Sequence, residues 1–518
     1  MMRGIFRFSL SGSIYDHNIS SAFVENGTRL PICRHHSGTS EPYTSSDQTL
    51  KSYNTIPGEW KSNWVSVYTF WKNGGIKNMH NLMLSNFNKY GPIYREKIGN
   101  NNSVNIINPE DAAILFKSEG MFPERMKMKP WMAYRDHRKE KYGVLLKSGE
   151  EWRRDRLVLN KALISPQIIQ KFIPLLNEVV LDFVSTVHKQ IENSGRKNWT
   201  ADLSNDLFKF ALESICHILY GERLGLLQGL HNPASQKFID SVTLMFKSTS
   251  PMLYIPPGLL KSIKSKIWQD HVAAWDTIFA HANTCIQKTY KQFHMGSKND
   301  KEYSGVLADL LLQDLLPLDD IKASVTELMA GGVDTTSMTL LWTMYELAKN
   351  PNVQENLRSE IIEANQKTQG DLLQMLKSVP LLKAALKETL RLHPVAVTLQ
   401  RYTNEDIVMQ NYHIPVGTLV QVGLYAMGRN SEIFHKPQRY NPKRWLNQES
   451  NYFRNLGFGF GPRQCIGRRI AETEMLLFLI HMLQNFKIET SHLVDVRTTF
   501  DLILIPERSI TLILKPVK

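Results

Sequence analysis

"GFGFGPRQCIGRR", from Gly457 to Arg469, sets a single cysteine among glycines and arginines. Free cysteine is commonly a small buried hydrophobe, and that reading is open here. The alternative is that Cys465 is a thiolate metal ligand. Glycines bring backbone N–H groups close to a sulfur and to a flat cofactor without side-chain bulk. Phe458, Gly461, Arg463, Cys465 and Gly467 together fit F-x-x-G-x-R-x-C-x-G, a pattern far more specific than a Cys-Gly pair. Arg463 is placed to neutralise a carboxylate on such a cofactor.

Three further stretches bear on the choice. In "ETLR" (388–391), Glu388 and Arg391 are spaced i,i+3 and share a helix face; alone they read as an exposed ion pair. "AGGVDTTS" (330–337) lies inside "DDIKASVTELMAGGVDTTSMTLLWTMYELAKN", a helix expected to begin at an Asp cap and end before Pro351. About 30 residues would span roughly 45 Å. Adjacent glycines inside a helix cost roughly 1 kcal/mol each relative to alanine. Close approach of a ligand to the backbone would offset that cost; a packing glycine pair is the alternative. Thr335 can reach back to the Gly331 carbonyl and loosen the helix there, which makes Asp334 and Thr335 a candidate proton-delivery pair. In "WRRDR", Trp152 and Arg156 are i,i+4 neighbours, both donors suited to carboxylates.

The remaining signals bound the class. At 518 residues the length alone suggests two or more domains. Composition is that of ordinary globular protein, 42% hydrophobic and 21% charged. Cysteines 33, 216, 285 and 465 are far apart, with neither CxxC nor zinc spacing, which argues against a disulfide framework and for a reducing compartment. The formal charge of +13 is spread along the chain without aromatic-interleaved clusters. An acidic protein partner or an anionic membrane surface therefore fits better than nucleic acid. The longest apolar stretch, "MLLFLIHML" (475–483), is too short to span a bilayer. Through residue 40 there are four arginines, no lysines, seven serines and two acids, the composition of a mitochondrial presequence. Residues 1–42 are read as that presequence, with an approximate boundary, and 43–518 as the working domain. Segments of helical period dominate after Trp60, with a short strand pair in "IYREKIG" and "SVNIINP" and a terminal hairpin in "FDLILIPERSITLILKP". The fold class is mainly α, a large helical body with minor β-sheets.

Taken together and in this order, the four motifs make the chain resemble the cytochrome P450 superfamily of haem-thiolate monooxygenases, from about Trp60 to the C-terminus. The resemblance implies haem b (iron protoporphyrin IX) between the long central helix and the cysteine-loop helix. Cys465 would be the axial ligand, its thiolate favouring O–O cleavage, with Phe458 and Gly467 beside it. Trp152, Arg156, Arg401 and Arg463 would hold the haem propionates. Glu388, Arg391 and Arg444 would form a structural triad beneath the haem, and Asp334 and Thr335 would relay protons to dioxygen.

The presequence-like start is similar to that of the mitochondrial class, which is fed from NADPH through ferredoxin reductase and a 2Fe-2S ferredoxin. Lys383 and Lys387 match the docking lysines of that class, and Arg468 and Arg469 extend the patch. Long stretches such as "LLKAALKETLRLHPVAVTLQRY" and "DVRTTFDLILIPE" resemble the group that hydroxylates cholesterol at C22 and C20 and breaks the bond between them, yielding pregnenolone. Phe460 and Pro462 depart from that group's cysteine loop. Matching positions imply a sterol pocket of Met126, Met128, Trp131, Leu145, Val397, Thr398, Gln400, Phe500 and Leu502. "PMLYIPPGLLKSIKSKIW" (251–268) would touch the matrix side of the inner membrane through Leu259, Leu260 and Ile263. Sibling mitochondrial steroid 11-beta-hydroxylases and other sterol hydroxylases are the alternative. A haem-thiolate isomerase, a peroxygenase and a non-catalytic haem sensor are further ones.

Overall fold

A helix that is apolar on all sides belongs in the centre of a large protein, and Leu318–Lys349 is one. From Ile321 to Leu347 most of its residues are buried. The computed structural model describes residues 49–228, 232–294, 305–446, 452–492 and 494–517, so the expected presequence lies outside the described residues. This 32-residue helix is about 48 Å long. It packs on helices Ser204–Tyr220, Lys266–His294 and Pro380–Leu392 and on strand Phe486–Thr490. Its cap differs from expectation: Pro317 precedes the first turn, and Asp319 and Asp320 lie inside it. Asp320 turns its carboxylate to Lys147 and Arg154 instead.

Helix Pro166–Asn193 shows the usual rule for an outer helix. Ser165 Oγ accepts from Ile168 N at its start, Pro166 occupies the first turn, and Phe172, Leu176, Val179, Phe183 and Val187 form the buried stripe. The stripe packs on helix Arg468–Asn485. Although length alone suggested several domains, Thr49–Lys518 forms one unit.

Among the described residues the strands form four small sheets. The largest runs in the order Gly58–Glu59, Ile93–Ile98, Asn101–Ile106, Leu419–Gly423, Thr398–Tyr402. Its expected pair, Ile93–Ile98 and Asn101–Ile106, is antiparallel, with Ile93 opposite Ile106. The C-terminal hairpin falls earlier than read from the sequence. Thr498–Asp501 pairs with Ile503–Pro506, whereas Thr511–Pro516 joins Phe486–Thr490 and Trp199–Asp202 in another sheet. Among the described residues, no helix is long and apolar enough to cross a membrane. In the stretch 251–268, Pro257–Ser262 is helical; Leu259 and Ile263 are exposed, but Leu260 is core, packed with Met252 and Trp268. The expectation that all three face a membrane is corrected: on so short a helix the apolar phase turns Leu260 inward.

Candidate active site

The cysteine loop is shaped by its glycines. Gly461 sits at φ +70°, and a Cβ there would collide with Glu119 Oε1, so only glycine fits. Cys465 N donates to Phe458 O at 2.9 Å and closes the loop. Helix Arg468–Asn485 starts immediately afterwards, so the sulfur lies at a helix N-terminus, where the dipole favours a thiolate. Cys465 is accessible, but to an internal cavity of about 580 Å³. Burial pushes its thiol pKa up, opposed by the Gly467 N–H and the Arg156 guanidinium.

Above the cysteine, the central helix stays regular through Gly331–Thr335, without the expected loosening. Thr335 Oγ1 does donate to Gly331 O, at 2.7 Å. The two glycines divide the two readings between them. A Cβ on Gly331 would meet nothing within 4 Å, whereas one on Gly332 would press on Ile215 at 3.1 Å. Gly331, Gly332 and Thr335 line the cavity. Asp334 is buried behind them; its Oδ1 accepts from Thr243 Oγ1 at 3.3 Å, and Oδ2 has no partner. Burial pushes its pKa up to about 7.

One side of the cavity gathers positive charge. Arg156, Arg401 and Arg463 line it with Trp152, and Arg125 joins them. Arg463 Cζ lies 3.8 Å from the Trp152 ring centroid, and its Nε and Nη2 donate to Pro123 O and Lys147 O at 3.0 Å each. Arg156 Nη2 donates to Gln464 O at 2.6 Å, leaving its buried Nε without a partner. Arg401 Nε donates to Glu119, and Arg125 Nη2 to Leu145 O. Burial lowers Arg125 and Arg156 to about 10, and burial with the neighbouring arginines lowers Arg463 to about 9. Of the four guanidiniums only that of Arg401 is in an ion pair, with Glu119; the others donate to backbone carbonyls, so the set suits an anionic ligand. Among the described residues, no group of three or more His, Cys, Asp or Glu could hold a metal ion. An iron here would take Cys465 from the protein and its other ligands from a cofactor, and this donor set suits a haem with its two carboxylates.

Below the loop, Glu388 and Arg391 are not the exposed pair of the bland reading. Both are buried, with Arg391 Nε and Nη2 on the two Glu388 oxygens at 2.9 and 2.8 Å. Arg444 Nε, Asn441 N and Trp445 Nε1 donate to the same carboxylate at 2.9, 2.8 and 2.8 Å. Arg391 also donates to Gly428 O and Pro437 O. The Glu388–Arg391 pair thus pins the chain from 428 to 445 ahead of the cysteine loop.

Met126, Met128, Trp131, Leu145, Val397, Thr398, Gln400, Phe500 and Leu502 come from four separated stretches, and all line the one cavity, as do Phe458 and Gly467. Leu502 is the hairpin turn, at φ +66°. Arg125, Glu119 and Trp445 went unread in the sequence. Only Trp445 carried a local signal, as the neighbour of Arg444. Lys387 and Arg469 are exposed, Lys383 is half-buried, and Arg468 pairs with Glu472.

The family model for cytochrome P450 matches residues 57–514. A cholesterol side-chain cleavage enzyme, mitochondrial, of Hypanus americanus is 61% identical over 99% of this chain and 100% of its own length. The protein of that name from Oncorhynchus mykiss is 59% identical over 94% of this chain and 96% of its own. A mitochondrial cytochrome P450 11B of Aquarana catesbeiana is 50% identical over 91% of this chain and 90% of its own. A family model over residues 57–514 and relatives of this identity show that the chain belongs to the cytochrome P450 family.

Proposed function

We propose that this chain is a mitochondrial haem-thiolate monooxygenase that cleaves the cholesterol side chain to pregnenolone, hydroxylating C22 and C20 and then breaking the bond between them. The observation that carries the reading is the meeting, in one cavity, of an inward-facing Cys465 with a wall dominated by apolar side chains. Its volume is within the range of about 300–1,000 Å³ usual for small-ligand sites. The names of the two most identical relatives cited above point to cholesterol.

Haem bound at Cys465 supplies dioxygen activation, aided by electron donation from the thiolate. Arg125, Arg156, Arg401, Arg463 and Trp152 hold its carboxylates. Met126, Met128, Trp131, Leu145, Val397, Phe500 and Leu502 exclude water and direct the sterol side chain, with Thr398 and Gln400 as polar fixers. Thr335 offers a hydroxyl at the reacting edge. Asp334, poised near neutrality, holds a proton behind it and returns it at the Thr335 oxygen.

An acidic 2Fe-2S ferredoxin, reduced from NADPH by its reductase, docks on Lys383, Lys387, Arg468 and Arg469; Lys387 and Arg469 present the open charge. The protein lies on the matrix side of the inner membrane. Trp64, Val65, Tyr68 and Trp71 on helix Asn63–Lys72 are exposed. Phe70 packs on Tyr254, 4.5 Å between centroids, so this helix adjoins the segment bearing Leu259 and Ile263. Exposed Trp and Tyr beside aliphatics suit a bilayer interface.

Haem-loaded protein with ferredoxin, reductase, NADPH and a sterol mixture tests the reading. Pregnenolone from cholesterol, lost in Cys465→Ala, is the expected result. The likeness to the Aquarana 11B protein keeps a second reading, a steroid 11-beta-hydroxylase. Hydroxylated deoxycorticosterone with cholesterol untouched would decide for it.

A further inference from the structure

The stretch from Gly143 to Lys147 joins helices Lys129–Arg138 and Gly149–Leu163 without belonging to either. Val144 and Leu145 form part of the cavity wall. A buried loop must place its backbone N–H groups somewhere, and here three in a row go to two side chains of the central helix. Gly143 N and Leu145 N donate to the two Glu327 oxygens at 3.1 and 2.8 Å, and Val144 N donates to Ser324 Oγ at 3.2 Å. The approach is as close as the backbone allows. A Cβ on Gly143 would collide with Glu327 Oε2 and stand 2.8 Å from Ala323 O.

Glu327 is itself buried and lines the cavity one helical turn before Gly331. Its charge faces Arg135, fully buried, with Nη2 3.8 Å from Glu327 Oε1 and Cζ 3.7 Å over the Trp275 ring. On the far side of the loop, Leu145 O accepts from Arg125. One three-residue segment therefore links the substrate wall, the glycine stretch of the central helix and an arginine of the cationic side.

We propose that Glu327, seconded by Ser324, is a positioning residue that holds the Val144–Leu145 wall shut against the substrate, so that hydroxylated intermediates stay in register between successive oxygenations. This rests on the side-chain-cleavage reading. That reaction needs the same sterol held through three turnovers, and a wall bracketed to the helix that carries Thr335 cannot drift relative to it.

The test uses the haem-loaded full chain, as wild type, Glu327→Gln and Ser324→Ala. Hydrogen–deuterium exchange reads the amides of residues 143–145, and mass spectrometry reads released hydroxysterols against pregnenolone. The expected result is exchange at those amides at least tenfold faster in E327Q and several-fold faster in S324A. Released hydroxysterol per pregnenolone should rise several-fold in both, at unchanged haem content. Should E327Q fail to fold, with Arg135 left unpaired, S324A decides alone. Unchanged exchange overturns the bracket. Faster exchange with an unchanged product ratio overturns its role in retention. A wild-type protein that makes no pregnenolone overturns the underlying reading instead, while the exchange data still decide whether the bracket exists.

Discussion

Thr335 Oγ1 lies 2.7 Å from the Gly331 carbonyl oxygen, in an otherwise unbroken helix. The hydroxyl is thereby fixed at the cavity edge while its own lone pairs stay open. Thr335→Ala removes that group and leaves the helix bond ladder intact. Sterol binding should hold within a factor of about two. Product per NADPH consumed should fall by about 100-fold, the lower range for losing an acid–base group, and Thr335→Ser should restore most of it. Equal product yield in T335A would remove the hydroxyl from the proton path.

Two buried carboxyls make stability depend on pH. Burial lifts Asp334 to about 7 from 3.8, and Glu474 to about 8 from 4.5. Between those values the folded chain binds more protons than the unfolded one. Each group therefore lowers stability as pH rises, by roughly 1.4 kcal/mol per unit, with the full loss present above about pH 8. Glu474→Gln should flatten the fall, read as melting temperature between pH 5 and 9.

Glu388→Ala deletes an acceptor of five hydrogen bonds and strands Arg391 inside the protein. Breaking a buried pair in this way costs roughly 3–5 kcal/mol. Urea unfolding should show that loss, together with lower haem content, because the stretch it pins leads into the cysteine loop.

Gly461 and Gly467 separate two reasons for a glycine. Gly461→Ala meets both a left-handed φ and Glu119, while an Ala at Gly467 has an ordinary φ of −83° and nothing within 4 Å. G461A should destabilise the polypeptide with or without cofactor. G467A should leave the cofactor-free fold unchanged and weaken haem binding by filling the cavity. Calorimetry on both forms distinguishes the two.

Leu259→Ser with Ile263→Ser should cut binding to vesicles without moving the melting temperature, since these side chains are 44% and 63% exposed. Leu260→Ser, at 6% exposed, should do the reverse, losing a few kcal/mol of stability. Vesicle sedimentation and thermal unfolding on both variants check this.

What could be read from the sequence was local. Cys465, Glu388 with Arg391, Asp334 with Thr335, and Trp152 with Arg156 each pair residue type with short spacing, so a motif carries them. Arg125 and Glu119 lie beyond that reach, because the sheet carrying Arg401 and the loop carrying Gly461 bring them into place. The last strand misled for a similar reason. Of its two partners, Trp199–Asp202 lies some 300 residues upstream and Phe486–Thr490 lies beyond the hairpin Thr498–Pro506, and a local pattern favours the adjacent strand. Leu260 was misplaced because six helical residues are too few to fix an apolar phase.

The cationic side of the cavity has a consequence for the life of the polypeptide. Arg125, Arg401 and Arg156 act against the charge of Arg463, with Glu124 opposing them, and a bound dianion would offset that repulsion further. An empty chain should therefore gain stability from added salt and open more often than a filled one. Proteolytic turnover samples that opening. Abundance of the folded protein should therefore follow the supply of the prosthetic group, with unfilled chains cleared first.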